Sequence, residues 1–506
     1  MLAKVWGSTV CGLDAYLVDV EVDVAQGMPT FDIVGLPDTA VKEARERVRS
    51  AVKNCGFGIP TRRITVNLAP ADLRKEGSAF DLPIAMALLA ASEMLPKAVL
   101  EDTVFVGELS LDGGLRPVVG VLPMAILSRK HNKKLVVPVA NAREAMLVDG
   151  LQVIPVSSLA ELCAILTGSR QVDFSLPDEV APIKHSGLDF RDIAGQEQAK
   201  RALEVAAAGG HNVLFVGPPG SGKTMLARHL PSILPPLRKE EALEVTKIYS
   251  VAGLLAERGF LISERPFRAP HHSVSNGGLI GGGKIPNPGE VSLAHRGVLF
   301  LDELPEFSKK TLEQLRQPLE DGHVTIARVN ATLTYPSEVM LVAAMNPCPC
   351  GFLGDTAKAC TCSAGEASRY ASRISGPLLD RIDIQLHVPR LLYHEFAAER
   401  RGASSEEIRL RVVAARERQQ ERLKEYHVFS NARLQHRHLR KLALTEGAEK
   451  LLKNAFTKLA LSARAHDRIL KVARTIADLA ASDIVDTAHV AEAVSYRTME
   501  RWATGT

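Results

Sequence analysis

The sequence predicts an α/β protein in three parts, the last of them mostly helical. Three observations carry that prediction. Short apolar runs of strand character alternate with helical periodicity up to about residue 390. One run leads directly into the glycine-rich turn Gly217-Pro218-Pro219-Gly220-Ser221-Gly222-Lys223-Thr224 and then an apolar helix. From about 391 onward only helical periodicity remains. At 506 residues the chain has room for two to four domains. Its 46% hydrophobic and 24% charged residues are ordinary globular composition, which excludes global disorder. No run approaches about 18 consecutive apolar residues, so no membrane span is expected. The opening MLAKVWGSTV leads into no apolar signal segment, and a cytoplasmic protein is expected.

Taken in order, residues 4–24 alternate apolar and polar in part and read as two strands about a turn at Gly12. Residues 38–54 read as a helix with Val41, Ala44, Val48 and Val52 on one side. A strand at 63–68, an apolar helix from Phe80 to Ala91, strands near 103–107 and 135–139 and a helix at 120–130 complete a first α/β unit. That unit has no glycine-rich nucleotide signature. Residues 170–186 hold two prolines and no clear periodicity, which marks a linker. The second unit is expected to have a helix at 195–208 and strands at 212–216, 297–301 and 339–344. Its further helices are placed near 309–318 and 369–378. The last part reads as helices over 404–425, 436–446, 448–464, 467–481 and 487–500. Residues 391–506 carry 21 Lys or Arg against 15 Asp or Glu, within a net charge of +4. That basic excess suits either a polyanion partner or a solvated helical surface.

The turn at 217–224 matches the phosphate-loop pattern at every specified position. Its glycines let backbone N–H groups turn inward around phosphates. Lys223 can reach the β and γ phosphates, and Thr224 can ligate Mg²⁺. The run Val298-Leu-Phe-Leu-Asp302-Glu303 ends a strand in two acids. Asp302 is assigned to the Mg²⁺ shell and Glu303 to polarising the attacking water. A third strand ends at Asn346, whose amide would help place that water. ATP and Mg²⁺ are therefore the expected cofactors.

Seven cysteines divide unevenly. Cys348, Cys350, Cys360 and Cys362 fall within fifteen positions, while Cys11, Cys55 and Cys163 are scattered and read as core residues. Four thiolates in a reducing compartment can close a tetrahedral zinc shell, so a structural Zn²⁺ is expected. An iron–sulfur cluster and unligated or redox-active thiols are the alternatives. A metal here would brace the loop that follows Asn346.

These residues also carry a family resemblance. The phosphate loop, the Asp302-Glu303 strand and the Asn346 strand together resemble an AAA+ ATPase. RPFRAPHHS (265–273), PGEVSLAHRGVLFLDELPEF (288–307) and SGPLLDRIDI (375–384) resemble its magnesium-chelatase-like branch. More narrowly, essentially all 506 residues resemble the bacterial ComM/YifB family. The resemblance implies an AAA+ core over 191–390 with pore insertions and a four-cysteine module at 346–364. A C-terminal helical lid would follow over 391–506. In front would stand a ribosomal-S5/Lon-protease-like α+β domain over 1–170 and a linker over 171–190.

The function so implied is that of an ATP-dependent homohexameric DNA motor. Members resembling ComM are associated with natural transformation, as branch-migration helicases that extend integration of incoming single-stranded DNA, so a role in natural transformation or homologous recombination is expected. Single-stranded and branched DNA, and recombinase or other recombination proteins, would be partners. A magnesium-chelatase-type motor and a protein-remodelling ATPase are the alternatives.

The resemblance also assigns individual residues. Arg381 matches the arginine finger, with Arg373 a second candidate, and Arg464 is the phosphate-facing residue of the sensor-2 helix, with Arg468 one turn further along. Residues 323–336 read as a β-hairpin inserted at the pore, where His323 and Arg328 would meet a DNA phosphate. The glycine-rich segment 252–287 would be a second insertion, with Lys284 as its DNA contact. His271 and His272 are assigned a structural or insertion-base role rather than a metal. GSAFDLPIAMALL (77–89) and GELSLDGGLRPVVG (107–120) resemble the proteolytic domain of Lon. Ser78 falls at that family's nucleophile, but Met124 stands where the activating lysine belongs, and Lys130 is out of register. The domain is therefore expected to be non-catalytic.

Overall fold

The computed structural model describes residues 1–171, 187–255, 260–283, 286–328, 331–391, 393, 402–426, 428–459 and 461–497. Lys284 and most of the expected linker lie outside the described residues. The chain folds as two compact units. The first comprises Met1–Pro182 and Ala242–Ile262, the second Ile183–Glu241 and Ser263–Thr506.

The first unit is built on strands β1 (Leu2–Cys11), β2 (Asp14–Ala25), β3 (Thr30–Val34), β4 (Arg63–Ala69) and β5 (Thr103–Phe105). A small separate hairpin, β6 (Glu108–Leu109) and β7 (Leu115–Arg116), is followed by β8 (Lys134–Pro138) and β9 (Val153–Val156). The seven-stranded sheet has the order β3-β4-β2-β1-β5-β8-β9. The alternation read at 4–24 becomes an antiparallel pair running from Leu2↔Asp23 to Cys11↔Asp14 about the Gly12 turn. Val18, Val20, Val22 and Val24 of β2 all point into the core, as a two-residue period requires. The helix Asp81–Ala91 is apolar nearly all round and every residue of it is buried. Its one charge, Asp81, accepts two hydrogen bonds from Arg47 at 2.6 and 2.9 Å and one from the Leu109 N–H at 3.1 Å. The helix Thr39–Asn54 buries the expected stripe and is capped by Asp38, which accepts the Val41 N–H at 2.8 Å. Strand β3 escaped the sequence reading because it is a short sheet edge with no fully buried side chain. Cys163 is buried, but Cys11 and Cys55 are only half-buried, which corrects their reading as core residues.

The segment Ala242–Ile262 joins this unit through specific contacts. The Gly120 N–H donates to the Ser250 carbonyl at 3.2 Å, Ser250 Oγ donates to the buried Glu144, and Lys247 pairs with Asp14 at 3.1 Å.

The second unit carries β10 (Val213–Val216), β11 (Phe267–Arg268), β12 (Gly281–Gly282), β13 (Asn287–Pro288) and β14 (Val298–Leu301). It continues with β15 (His323–Arg328), β16 (Ala331–Pro336), β17 (Met340–Met345) and β18 (Ile384–His387). Five of these form an all-parallel sheet in the order β11-β14-β17-β10-β18. Every residue of β10, β14 and β17 is buried, as continuous apolar runs in a sheet covered on both faces must be. β12/β13 and β15/β16 are separate antiparallel hairpins. The helices Glu197–Gly209, Ser405–Leu423, Glu446–Lys458, Ala463–Leu479 and Thr487–Ser495 share one hydrophobic core with the sheet. Gln419 and Arg416 donate to the Ala208 and Ala207 carbonyls at 3.1 and 3.0 Å, tying the helical segment to the helix before β10.

Several helix limits differ from the sequence reading. The helix expected at 436–446 is a single turn, His436–Leu439. The expected break near 465 falls earlier, because Ser462 caps Ala463–Leu479 by accepting the Ala465 N–H at 3.1 Å. The helix at 309–318 divides into Lys309–Gln314 and Arg316–Asp321, since Pro318 has no N–H to donate to Gln314. The helix placed at 369–378 is Ala364–Ala371, started by a Ser363–Glu366 capping box. Among the described residues no helix is long and apolar enough to cross a membrane.

Candidate nucleotide-binding site

The C-terminal ends of parallel strands are where such a sheet presents its chemistry, and three of them converge here. β10 releases the loop 217–224, β14 releases Asp302 and Glu303, and β17 releases Asn346. Gly217 opens the loop against the backbone of Val388. A Cβ there would lie 2.1 Å from the Val388 carbonyl oxygen, so only glycine fits. Lys223 folds back over the loop, donating to the Gly217 and Pro218 carbonyls at 2.7 and 2.9 Å, with Asn346 Oδ1 at 3.4 Å. Burial pushes its ammonium down to about 8, against the pull of Asp302. Thr224 Oγ1 donates to Asp302 Oδ2 at 2.7 Å, so the two expected Mg²⁺ ligands already touch. Their hard oxygen donors fit that ion.

Glu303 has a left-handed backbone, φ +50°, and its N–H donates to Asp302 Oδ1 at 2.9 Å. Its carboxylate meets His272 Nδ1 at 3.4 Å. The sequence reading missed this contact. The signal was the pair His271-His272 lying just past β11, the strand hydrogen-bonded to β14. A cavity of about 520 Å³ opens beside Glu303 and Asn346, lined also by Pro349, Tyr370 and Arg373. Arg373, the second finger candidate, pairs there with Glu306 at 3.1 Å.

Arg381 stands in a different place. Its guanidinium donates to the Arg316 and Pro377 carbonyls at 3.1 and 2.7 Å and pairs with Glu320. It lines a second cavity of about 550 Å³ together with Arg464, Arg468, Arg433 and Lys471. Arg464 lies 3.6 Å from Asp380, and Arg468 donates to Asp383 at 2.7 Å. Asp383 also meets His211 Nδ1 at 3.1 Å, whose other ring nitrogen meets Thr475 Oγ1 at 2.8 Å. Burial opposes its ionisation, but the His211 hydrogen bond and the Arg468 charge hold Asp383 far below the usual carboxylate range.

The two hairpins pack on each other. Tyr335 of β16 donates to the Pro286 carbonyl at 2.6 Å, and Ile326 of β15 lies against Gly281. His323 sits at the base of its hairpin, paired with Pro336, whereas Arg328 pairs with Ala331 at the turn.

The four cysteine sulfurs lie within 4.8 Å of one another. Cys348–Cys350, Cys348–Cys360 and Cys350–Cys360 are separated by 3.4, 3.7 and 3.6 Å. A tetrahedral shell with Zn–S bonds of about 2.3 Å sets sulfurs about 3.8 Å apart. The donor set and its spacing therefore fit zinc. The backbone N–H groups of Phe352 and Thr361 draw the Cys350 thiol down to about 5, while burial and the neighbouring sulfurs push Cys360 and Cys362 up. The module rests on the phosphate loop, through Gly351 against Pro219.

In the first unit Ser78 donates to Glu108, while Met124 is buried in the core. The serine thus faces an acid where the Lon pattern supplies a base.

Three family models cover most of the chain. Residues 189–396 match magnesium chelatase, subunit ChlI; residues 20–141 match subunit ChlI of Mg-chelatase; residues 402–497 match the magnesium chelatase subunit ChlI C-terminal model. The chain is 45% identical over 506 residues to uncharacterized protein YifB of Salmonella typhimurium, covering 99% of this chain and 98% of that one. It is 45% identical over 508 residues to competence protein ComM of Haemophilus influenzae, again covering 99% and 98%. Lon protease 2 of Bacillus subtilis is 35% identical over 148 residues, 27% of this chain and 26% of the protease.

Proposed function

The chain belongs to the ComM/YifB family of magnesium-chelatase-like AAA+ ATPases, and on that premise we propose that it is a hexameric DNA motor driving branch migration during natural transformation or homologous recombination. ATP hydrolysis is the chemistry of its central sheet. One observation carries the reading furthest: Lys223, Thr224, Asp302, Glu303 and Asn346 gather at one place, while Arg381 and Arg464 line another cavity. A site split in this way supports catalysis between subunits, with Arg381 and Arg464 of one ring member facing the phosphates of the next. In the proposal Arg373, beside its own Glu303, is not the finger.

The loop 217–224 wraps the phosphates with its N–H groups, and Lys223 exchanges its two carbonyl partners for phosphate oxygens. Thr224 and Asp302 would hold Mg²⁺, which would neutralise phosphate charge when bound. Glu303 orients the attacking water and Asn346 fixes it from the neighbouring strand, β17. Arg381 stabilises charge developing on the transferred phosphoryl group. The paired hairpins carry the motion to DNA, with Arg328 at a hairpin turn better placed than His323 at its base. The sulfur spacing of the cysteine cluster supports a structural zinc. Single-stranded and branched DNA, with recombination proteins, are the proposed partners.

The test is three-strand branch migration on synthetic junctions. Wild type is expected to displace the strand with ATP, and Glu303→Gln to bind ATP but stall. Absence of junction activity, with ATPase stimulated instead by an unfolded protein or a porphyrin, would replace this reading with remodelling or metal insertion.

A further inference from the structure

We propose that the four-cysteine module is a metal-set strut for the nucleotide site, so that zinc occupancy controls nucleotide affinity. The inference rests on the zinc reading above and goes beyond it by assigning the metal a task.

The module begins two residues after Asn346, and Cys348 is completely buried. Its first turn closes when the Gly351 N–H donates to the Cys348 carbonyl at 3.0 Å. Gly351 has φ +85°, a conformation that glycine adopts without strain. At that point the turn meets the phosphate loop. A Cβ on residue 351 would lie 2.7 Å from Pro219 Cδ and 3.8 Å from Asn346 Cγ. One turn therefore bears on both the loop that wraps phosphate and the amide that meets Lys223. A second tie runs from the other end of the module. The Asp355 side chain is 1% exposed and lies 3.6 Å from Arg390. The neighbouring Pro389 carbonyl accepts from Gln196 at 2.7 Å, and Gln196 also donates to the Ser221 carbonyl at 3.3 Å.

The module thus props the loop 217–224 from two directions, but it has little apolar core of its own. Cys350, Cys360 and Cys362 are only half-buried. What closes a short, glycine-rich turn of this kind is the metal, because ligand bonds replace the missing burial. With the metal gone, four thiols this close have no bond between them and the turn loses its shape. Pro219 and Asn346 then lose the surface that holds them.

The experiment uses the full-length protein. Metal content is read by inductively coupled plasma mass spectrometry, and affinity by titration with a fluorescent ATP analogue. Wild type is expected to hold one zinc per chain. Cys350→Ser/Cys360→Ser is expected to lose it and to bind the analogue about tenfold or more weakly. Gly351→Ala keeps all four thiolates and pushes on Pro219, so it is expected to retain zinc and still bind the analogue about tenfold more weakly. This variant keeps the proposal testable if the double serine variant fails to fold. Wild type without bound metal would overturn the zinc reading itself. A zinc-loaded Gly351→Ala with wild-type affinity would overturn the strut and leave the zinc reading standing.

Discussion

His272 and Glu303 make the clearest residue-scale prediction. Their contact at 3.4 Å joins a side chain just past β11 to the acid that the proposed mechanism assigns to water activation. Glu303 is 56% exposed, so the pair contributes little energy, on the order of 0.2–1 kcal/mol. His272→Ala is therefore expected to raise DNA-independent ATP turnover about twofold to fivefold, with nucleotide affinity unchanged. Steady-state kinetics with and without single-stranded DNA measure this, and a fall in turnover would contradict it. The loop 217–224 and the two acids were legible residue by residue, because their chemistry demands fixed types at fixed spacing. The His272 contact was not, because it depends on which strand lies beside β14. The resting place of the cysteine module was hidden for the same kind of reason: four thiols announce a metal, but not what their turn leans on.

At the scale of elements, the helix Ala463–Leu479 is attached to the sheet through Asp383. This carboxylate is 5% exposed and joins His211, Arg468 and, through the histidine, Thr475. Removing one partner of a buried pair leaves the rest uncompensated, so Asp383→Asn is expected to cost about 3–5 kcal/mol of stability. The pH dependence has a definite sign. Asp383 is held below its ordinary range, so its contribution is present above the unfolded carboxylate value of about 3.9 and is lost as pH falls below it. Thermal melting of both proteins across pH reads this out. The gap should be full near neutrality and close in acid; a gap that widens in acid would refute the assignment. Helices were readable from periodicity, but their ends were not where a cap or a proline decided them, as at Ser462 and Pro318. Short strands such as β3 and β9 carry too few residues to show a period.

For the molecule as a whole, the separation of Arg381 from Lys223 predicts complementation. In the proposed mechanism Lys223→Ala would lack a working loop and Arg381→Ala a finger, so each alone is expected to lose about 10³-fold or more in ATP turnover. A mixture should recover activity, because some interfaces then combine an intact loop with an intact finger. Mixed ATPase no greater than the two variants measured separately would argue that each chain completes its own site. The first unit adds a further property at this scale. It includes Ala242–Ile262, so the second unit is interrupted in sequence by a segment of the first.

Composition and spacing alone determined the α/β class, the nucleotide loop, the acid pair and the four-thiol cluster. Each of these is a local pattern, imposed by what phosphate, a metal ion or a buried strand requires of its neighbours in sequence. Tertiary structure decided the rest. It paired His272 with Glu303, set Arg464 beside Asp380 and Arg381 in a cavity apart from the nucleotide loop, and seated Gly351 on Pro219. Those contacts join residues dozens to hundreds of positions apart. Packing brings them together, and no periodicity along the chain records which distant surface a side chain will meet.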